Sequence, residues 1–413
     1  MTPGAAALQT DMNPNAHPNA HPNAQPGTPP GAPATNRARI TSLAITGFRN
    51  IASAELKLPA DGIAIIGDNG HGKTNLLEAV AYLELLRSMR GARDRDLIQF
   101  GTETFHIAAE MEGTRARRVS IGVDRSGAKR AQLDGAEQPR LADALGAVPS
   151  VCFSPADVAL VTAGPGERRR FLDIVLALTE PPYLAALRRY RAALVRRNAA
   201  LRSGRSHRGA IHAWEPALVT NGATLVASRR AWVDAFRDRF ARLAAAVGEP
   251  QPMAMAYASA FAAADHPEAA LAAALEESRD HDVKRGATQV GPHRDDLGLS
   301  LGAHDLRTTG SAGQHRTAAI ALRLLEAETF RARTCVQPLV LLDDPFAELD
   351  RGRATRVLAL LDDATHGGVG QIILCVPRED EIPREFTRLE RWRVRDGAFA
   401  RETQGVAREV DHG

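Results

Sequence analysis

The sequence contains few cysteines, few aromatic residues and hardly any lysine, and each shortage limits what the protein can be. Cysteine occurs only at Cys152, Cys335 and Cys375, which are too far apart for the ligand spacing of a zinc site. We therefore expect reduced thiols, as in a cytoplasmic protein. Aromatic residues make up 5% of the chain, so the sequence shows no stacking platform for single-stranded nucleic acid.

Long apolar runs and a strong net charge are missing as well. No run approaches the roughly 18 uncharged apolar residues that a membrane helix needs. The N-terminus lacks the basic and then apolar order of a secretory signal, so we expect a cytoplasmic protein. The formal net charge is only +3, which alone does not require a nucleic-acid partner. The hydrophobic content of 44% is enough for a packed core.

Lysine occurs at four positions, and one of them lies in a motif. Lys73 belongs to a segment that matches the phosphate-loop pattern G-x-x-x-x-G-K-[ST]; its members are Gly67, Asp68, Asn69, Gly70, His71, Gly72, Lys73 and Thr74. A strand-like run, residues 63–66, precedes the segment, and a helix-like run, residues 75–87, follows it. That context predicts a loop whose backbone N–H groups bind nucleotide phosphates. Lys73 is then expected to reach the β- and γ-phosphates, and the Thr74 hydroxyl to bind Mg²⁺.

A second motif is an acidic pair at the end of an apolar run. Residues 339–342 are Leu-Val-Leu-Leu, and Asp343 and Asp344 follow directly. At the end of a buried strand, Asp343 is placed to hold Mg²⁺, directly or through water. Asp344 is placed to orient or deprotonate the attacking water. The simpler interpretation, a solvated or helix-capping acidic pair, stays open at this point.

A third motif opens the helix-like run at residues 314–332. Ser311, Gly313 and Gln314 would present a hydroxyl and backbone N–H groups at the positive end of that helix. One chain rarely needs two sites for the γ-phosphate, so this surface is expected to serve the ATP of a second copy. The alternative is an ordinary helix N-cap with Ser311 as the capping residue.

The pattern along the chain predicts four segments. Residues 1–38 are rich in Pro, Asn and Ala, with a repeated His-Pro-Asn-Ala, and are expected to be a disordered tail. Residues 39–150 are predicted to form the first part of an ATPase lobe, with alternating strands between residues 105 and 133. Residues 151–286 read as a helical lobe. Residues 287–413 return to strands and complete the ATPase lobe, so one head is built from both ends of the chain.

The combination resembles the ABC-type ATPase heads of the SMC superfamily, and more closely the RecF family of bacterial recombination mediators. The likeness covers about residues 40 to 400. It rests on these motifs: Gly47-Phe48-Arg49-Asn50, residues 69–80, Arg87-Ser88-Met89-Arg90, residues 153–157, residues 166–173, Arg197-Asn198, Gly291-Pro292-His293-Arg294-Asp295-Asp296, the Ser311 motif and residues 342–350. It implies an α/β fold, an ABC-type P-loop ATPase head with a mixed sheet, flanking helices and a helical insertion lobe.

The resemblance also implies a function. ATP and Mg²⁺ would bring two copies together into a clamp on gapped or junction DNA, and the clamp would help to load recombinase with RecO and RecR. Slow hydrolysis, with Lys73 and Asp344 as catalytic residues, would release the DNA, so the protein would be a weak, DNA-stimulated ATPase that acts as a switch. Further nucleotide contacts are implied for Arg49, Asn75 and Asp350.

Two segments depart from the family pattern. The candidate DNA contacts are all arginines. Residues 153–157 contain no glutamine, and residues 374–377 contain neither of the expected switch residues, histidine or threonine. Basic side chains of the helical lobe are the candidates for phosphate contacts: Arg168, Arg169, Arg188, Arg189, Arg196 and Arg197. A solvated helical face in an arginine-rich protein is the alternative for each of them.

Three other classes share part of these motifs. A transporter ATPase subunit would share all three nucleotide motifs, but the helical insertion has the length of a domain of its own. A metabolic kinase with a phosphate loop has no use for the Ser311 motif. A nuclease-linked ATPase would need metal-binding carboxylates beyond Asp343 and Asp344.

Overall fold

The structure is a computed structural model. It describes residues 36–203, 208–345, 349, 351–363, 370–382, 384–386 and 388–402. Two sequence predictions therefore lie outside the described residues: the tail up to residue 35, and the nucleotide contact by Asp350. The described chain begins in a short strand ahead of residue 39, where Asn36 and Arg37 pair with Val336 and Gln337.

The described residues form strands in several sheets and twelve α-helices. The strands are β1 (Asn36–Arg37), β2 (Arg39–Phe48), β3 (Ile51–Lys57), β4 (Gly62–Ile66), β5 (Thr104–Glu112), β6 (Arg118–Asp124), β7 (Lys129–Leu133), β8 (Ala136–Glu137), β9 (Ser150–Phe153), β10 (Met253–Ala258), β11 (Asp296–Leu301), β12 (His304–Asp305), β13 (Val336–Gln337), β14 (Leu339–Asp343), β15 (Ile372–Val376), β16 (Glu390–Arg395) and β17 (Ala398–Arg401). The helices are α1 (Lys73–Leu85), α2 (Leu141–Ala144), α3 (Ala159–Thr162), α4 (Pro165–Thr179), α5 (Pro181–Arg202), α6 (Arg208–His212), α7 (Glu215–Val247), α8 (Pro267–Glu277), α9 (Arg279–Arg285), α10 (Leu306–Thr309), α11 (Ala312–Thr334) and α12 (Arg351–Asp363).

The central sheet has the order β17-β16-β4-β15-β14-β9. All neighbouring pairs from β16 to β9 are parallel, and only the β16–β17 hairpin is antiparallel. Because parallel strands end at a common edge, the loop after β4 and the acidic end of β14 lie on the same side of the sheet, with β15 between them. The sheet therefore places the two nucleotide motifs near each other, although 269 residues separate Thr74 from Asp343.

Side chains on the central sheet alternate between two hydrophobic cores, as the period of two along a strand requires. Ile63 and Ile65 of β4 belong to the core that also contains α1 and the antiparallel sheet. Ala64 and Ile66 belong to the core that continues into the helical lobe. Strands buried on both faces read as continuous apolar runs, which explains the sequence Leu-Val-Leu-Leu in β14.

The second large sheet is antiparallel, with the order β3-β2-β5-β6-β7-β8. It confirms the strands predicted between residues 105 and 133. Its inner face packs against α1 through three aromatic rings in edge-to-face contact. The Phe105 ring centroid lies 5.1 Å from Phe48 and 5.2 Å from Tyr82. This contact fixes the end of β2 and the start of β5 against the helix that follows the phosphate loop.

The helical lobe is larger than its helices alone. Strand β10 lies inside the predicted helical segment and pairs antiparallel with β11, which the sequence analysis assigned to the ATPase lobe. Strand β9, at the other boundary, belongs to the central sheet. The short apolar run of β10 lies between long helices and carries little strand signal of its own, because its partner is about 40 residues further along the chain.

The Gly291 motif braces this lobe from within. Asp296 accepts two hydrogen bonds from the Arg168 guanidinium, at 2.8 and 2.7 Å. The Pro292 carbonyl accepts a hydrogen bond from Arg229 at 2.7 Å. The Tyr190 hydroxyl and the His293 ring are hydrogen-bonded to each other at 2.6 Å. The motif therefore ties α4, α5 and α7 together.

No helix in the described part of the chain combines the length and the apolar character needed to cross a membrane. The three cysteines are free thiols.

Candidate nucleotide-binding site

The loop after β4 has the backbone of a phosphate-binding loop. Gly70 and Gly72 have φ values of 89° and 111°, and residues other than glycine rarely adopt such values. Helix α1 begins directly afterwards at Lys73, so its free N–H groups face the loop. The Lys73 ammonium donates to the Gly67 carbonyl and, at 3.0 Å, to the Asp68 carbonyl. It is thus held within the loop, where phosphate oxygens can replace the carbonyls as acceptors.

The Asn50 side chain holds the phosphate loop in place through hydrogen bonds. Its amide donates to the Gly70 carbonyl at 3.4 Å, and its side-chain oxygen accepts from Asn75 at 2.8 Å. A Cβ at Gly72 would lie only 2.8 Å from that oxygen, which is a second reason for glycine at this position. On the other side, the Gly397 N–H donates to the His71 carbonyl at 2.9 Å. The loop is therefore fixed by two segments distant in sequence.

Thr74 and Asp343 meet across the central sheet. The Thr74 hydroxyl lies 2.9 and 3.0 Å from the two carboxylate oxygens of Asp343. Burial raises the pKa of Asp343, the hydrogen bond from Thr74 opposes that rise, and the charge of Asp344 adds to it. A hydroxyl and a carboxylate are the hard oxygen ligands that Mg²⁺ prefers, so these two residues fit the ion that the phosphate-loop pattern implies.

Asp344 stands next to this pair in a left-handed backbone conformation, with φ of 46°. Its N–H donates to the Cys375 carbonyl at 2.9 Å, which anchors it to β15. The cavity over the loop has a volume of about 400 Å³. Its lining contains eight of the predicted residues and three others: Asn69, Gly70, Gly72, Lys73, Thr74, Asn75, Arg90, Pro155, Asp343, Asp344 and Pro377.

Arg90 is the charged lining residue to which the sequence analysis assigned no role. It lines the cavity, and its guanidinium lies 3.8 Å from the buried Glu78 carboxylate and 3.5 Å from the Asn75 side-chain oxygen. The backbone N–H of Arg90 donates to Ser88, whose hydroxyl donates to Glu78. Its motif, Arg87-Ser88-Met89-Arg90, was visible in the sequence, but only the chain's return beside α1 shows that it reaches the nucleotide cavity.

Arg49, predicted as a nucleotide contact, is engaged elsewhere. Its guanidinium donates to both oxygens of Glu78, at 3.0 and 3.2 Å. Glu78 is fully buried, and a buried carboxylate needs such a paired charge. Arg49 is not among the described residues that line the cavity. The structure thus gives it a supporting contact to α1, and a direct nucleotide contact stays a prediction.

The Ser311 motif forms a helix N-cap on an exposed surface. The Ser311 hydroxyl accepts from the Gln314 N–H, and the Gln314 side chain accepts from the Ser311 N–H at 2.9 Å, a capping box. Gly313 allows Arg353 of α12 to approach, since a Cβ there would lie 2.5 Å from its guanidinium. Gln314 also donates to Glu249, just beyond α7, at 3.4 Å. Ser311 does not line the cavity of its own chain among the described residues.

The six arginines proposed for DNA contacts divide into two groups. Arg168 and Arg197 are buried and ion-paired, Arg168 with Asp296 and Arg197 with Asp282 and Glu215. Arg169 is half-buried and donates to the Asp295 carbonyl. In contrast, Arg188, Arg189 and Arg196 are exposed on α5. Only these three are therefore placed to reach an external phosphate backbone.

The mixed sheet, the phosphate loop, the Thr74–Asp343 pair and the capped helix α11 define an ABC-type ATPase head of the SMC kind. The likeness extends to the solved Smc head domain of Pyrococcus furiosus, with a TM-score of 0.52 and 16% identity over 88% of this chain and 95% of that one. It is greater for a structure described as the recombination mediator protein RecF-ATP in the RecFOR pathway, with a TM-score of 0.81 and 25% identity over 90% of this chain and all of that one.

Sequence comparison narrows the class to one family. The family described as the RecF/RecN/SMC N terminal domain matches residues 39–385. A relative in Anaeromyxobacter dehalogenans strain 2CP-1, DNA replication and repair protein RecF, is 40% identical over 334 residues, which cover 78% of this chain and 89% of that relative. The chain belongs to the RecF family of DNA replication and repair proteins. The predicted family and fold class are thereby confirmed.

Proposed function

We propose that this protein is an ATP-dependent DNA clamp whose two copies close around shared nucleotides. The proposal rests on one observation: two phosphate-binding surfaces lie apart within one copy of the chain. The phosphate loop and the Thr74–Asp343 pair form one cavity, whereas the Ser311 cap is exposed and lies outside it. An exposed helix N-terminus with free N–H groups is a phosphate-binding surface in need of a phosphate. A second copy would bring that surface to the cavity.

Within one copy, the loop residues bind ATP and Mg²⁺. The N–H groups at the start of α1 and the Lys73 ammonium hold the phosphates, while Thr74 and Asp343 hold the metal ion. Mg²⁺, when bound, neutralises charge that develops on the phosphates. The RecF relative of 25% identity was solved with ATP, which supports the same nucleotide here.

Two side chains are assigned to hydrolysis and sensing. Asp344 orients or deprotonates the attacking water, because it lines the cavity one residue beyond the metal-binding Asp343. Arg90 contacts the terminal phosphate, and its ion pair with Glu78 links that contact to α1. Hydrolysis is slow, since the chain acts as a switch rather than as a metabolic enzyme.

The exposed arginines of α5 bind the DNA backbone. Arg188, Arg189 and Arg196 lie on one exposed side of a helix of 22 residues, which is about 33 Å long at 1.5 Å per residue. Contacts of this kind are independent of sequence and sensitive to salt. The proposed clamp acts on gapped or junction DNA with RecO and RecR, and the RecFOR pathway named for the solved RecF relative supports these two partners.

Static light scattering with and without ATP, Mg²⁺ and gapped DNA tests the proposal. The wild-type chain should change from monomer to dimer with ATP, and Ser311→Arg should bind ATP yet stay monomeric, because the arginine covers the phosphate-binding N–H groups. Normal ATP-driven dimerisation of Ser311→Arg would contradict the two-copy site.

A further inference from the structure

The β16–β17 hairpin borders the phosphate loop on one side. Strand β16 pairs in parallel with β4, so the chain that leaves β4 at Ile66 enters the loop beside Arg393. Gly67 then passes so close to β16 that a Cβ there would lie 2.7 Å from the Val394 carbonyl oxygen. The loop is therefore enclosed on this side by the last two strands of the described chain.

The turn of this hairpin, Asp396-Gly397, has a fixed shape and a fixed neighbour. Asp396 and Gly397 have φ values of 50° and 80°. Positive φ at both central residues is what a two-residue hairpin turn of type I′ requires, and Asp-Gly is a preferred pair for it. A Cβ at Gly397 would collide with the Asn50 carbonyl, so the turn also packs against the turn between β2 and β3.

His71 is the loop residue that the hairpin turn holds. The Gly397 N–H donates to the His71 carbonyl at 2.9 Å. The Asp396 backbone nitrogen and a carboxylate oxygen of Asp396 each lie 3.1 Å from Nδ1 of the His71 ring. Without a proton, Nδ1 accepts from the backbone N–H, and with a proton it donates to the carboxylate. The ring therefore has a partner on Asp396 in either tautomer.

The place of His71 within the loop explains what these contacts do. A phosphate-binding loop needs its N–H groups toward the phosphates and its carbonyls turned away, because carbonyl oxygens repel phosphate oxygens. His71 lies between Gly70 and Gly72, which have no side chains to fix the backbone. The bond from Gly397 keeps the His71 carbonyl on the side of the hairpin. Gly70 and Gly72 line the nucleotide cavity, whereas His71 is not among the described residues that line it.

The contact between His71 and Asp396 acts on the loop rather than on the stability of the whole fold. The Asp396 side chain is 81% exposed and that of His71 is 29% exposed, and exposed pairs of this kind contribute little to folding. A loop with flexible glycines, however, loses conformational freedom when it binds a ligand. Holding the loop in its binding conformation beforehand removes part of that cost and raises the affinity.

We propose that Asp396 and the His71 side chain are positioning residues for the nucleotide. The turn of the last hairpin holds the phosphate loop in its phosphate-binding conformation before ATP arrives, and neither side chain contacts the phosphates. This inference rests on the proposed function and adds the β16–β17 hairpin to the nucleotide site. Bound phosphates themselves hold the loop N–H groups, so losing the contact affects ATP affinity and leaves hydrolysis at saturating ATP unchanged.

Titration of the full-length chain with a fluorescent ATP analogue and Mg²⁺ tests the proposal, together with the hydrolysis rate at saturating ATP. His71→Ala removes both contacts of the ring. We expect its dissociation constant for ATP to rise at least about threefold, the effect of roughly one net hydrogen bond, at an unchanged kcat. His71→Asn should restore most of the affinity, because the asparagine oxygen takes the place of Nδ1 and accepts from the Asp396 N–H.

The same contact can be removed from the side of the hairpin. Asp396→Gly deletes the carboxylate, and glycine keeps the left-handed turn without strain. It should weaken ATP binding in the wild-type background but not in His71→Ala, because the two changes then remove one shared contact. Asp134→Gly is the matched control: Asp134 opens the Asp-Gly turn between β7 and β8, with φ of 51°, and its replacement should leave ATP affinity unchanged.

The outcomes separate this inference from the proposed function. An ATP affinity of His71→Ala within about threefold of wild type, a His71→Asn variant as weak as His71→Ala, or additive effects of His71→Ala and Asp396→Gly would overturn the inference alone. If His71→Ala does not fold, Asp396→Gly against the Asp134→Gly control decides. A wild-type chain that does not bind ATP, or binds it no better than Lys73→Ala, would overturn the proposed function and this inference together.

Discussion

At the scale of single residues, the candidate nucleotide site is a set of charged groups held by neighbours both near and far in the sequence. Lys73 depends on loop carbonyls, Asp343 on Thr74, and Asp344 on a backbone bond to β15. The loop and the acidic pair could be predicted from sequence, because each is a local pattern with its own strand or helix. Arg90 could not be assigned, since its role depends on where the chain turns after α1.

Replacing Asp344 by asparagine should separate ATP binding from hydrolysis. The amide keeps the size of the side chain and its backbone bond but cannot accept a proton. Loss of a general base typically lowers the rate by about 10²- to 10⁴-fold. We expect unchanged ATP affinity, hydrolysis reduced by at least about 100-fold, and a dimer that persists after ATP is added.

A phosphate-release assay and light scattering measure the two effects. Asp265→Asn, an exposed position, is the matched control and should behave as wild type. Hydrolysis by Asp344→Asn at the wild-type rate would remove Asp344 from the reaction.

Replacing Asp343 by asparagine should stabilise the empty protein. Burial raises the pKa of Asp343 in the folded state above its unfolded value. A carboxyl with a raised pKa contributes stability at low pH and loses it as pH rises through the folded pKa, so the ionised form costs stability at neutral pH. We expect the Tm of Asp343→Asn to exceed that of wild type by a few degrees at pH 7 without nucleotide.

The difference in Tm should shrink as pH falls, because the wild-type carboxyl then becomes protonated. Thermal unfolding at pH 7 and at pH 5 measures it, and the same variant should lose Mg²⁺-dependent ATP binding. A Tm below that of wild type at pH 7 would show that the ionised Asp343 carboxylate does not destabilise the nucleotide-free protein.

At the scale of elements, α7 connects the helical lobe with the Ser311 motif. The helix has 33 residues and is therefore about 50 Å long. Glu215 in its first turn pairs with Arg197 of α5. At its other end, the Val247 carbonyl accepts from Arg356 of α12, and Glu249 contacts Gln314. The sequence predicted helices here, but it gave no indication of the contacts at either end, because the partners lie far away in the chain.

Removing the Glu249 carboxylate should weaken dimerisation without affecting ATP binding. Gln314 would lose its contact to α7, and its side chain would hold the Ser311 N–H less firmly. We expect Glu249→Ala to raise the dimer dissociation constant about tenfold, equivalent to about 1.4 kcal/mol, at wild-type ATP affinity. Analytical ultracentrifugation measures this. Glu277→Ala, at an exposed position of α8, should leave dimerisation unchanged, and equal behaviour of the two variants would refute the contact's role.

The exposed arginines of α5 should account for part of the salt dependence of DNA binding. Each lost phosphate contact lowers the slope of log affinity against log salt by about 0.9 on duplex DNA. Changing Arg188, Arg189 and Arg196 to glutamine should therefore lower the slope by up to about 2.7. Fluorescence anisotropy between 50 and 200 mM salt, as about the useful range, measures it. An unchanged slope would place the DNA elsewhere.

The buried arginines show why the sequence could not choose among its candidates. Arg168 and Arg197 occur in the same kind of arginine-rich helical pattern as Arg188 and Arg196. Their acidic partners, Asp296 and Asp282, lie 128 and 85 residues away. Helical periodicity marks which residues share a face, but a buried ion pair forms only when two distant elements pack.

At the scale of the whole molecule, the chain is one of the two copies in the proposed DNA clamp. Its central sheet unites motifs from both ends of the sequence, so the head could be predicted as a single unit. Strand β10 lies inside the segment predicted as helical and pairs with β11, which lies outside that segment. The exposed Ser311 cap and the candidate nucleotide cavity are separate within one copy, so under the proposed function two copies are the smallest unit that can complete the site.

Mixing two inactive variants tests that central claim most directly. Lys73→Ala lacks ATP at its own loop but keeps an intact Ser311 cap. Ser311→Arg binds ATP but lacks the cap. In a mixed dimer, the ATP on the Ser311→Arg copy would face the intact cap of the other copy. Light scattering with ATP and Mg²⁺ should show monomers for each variant alone and a dimer fraction for the mixture. A mixture that stays monomeric, while wild type dimerises, would contradict a site shared between copies.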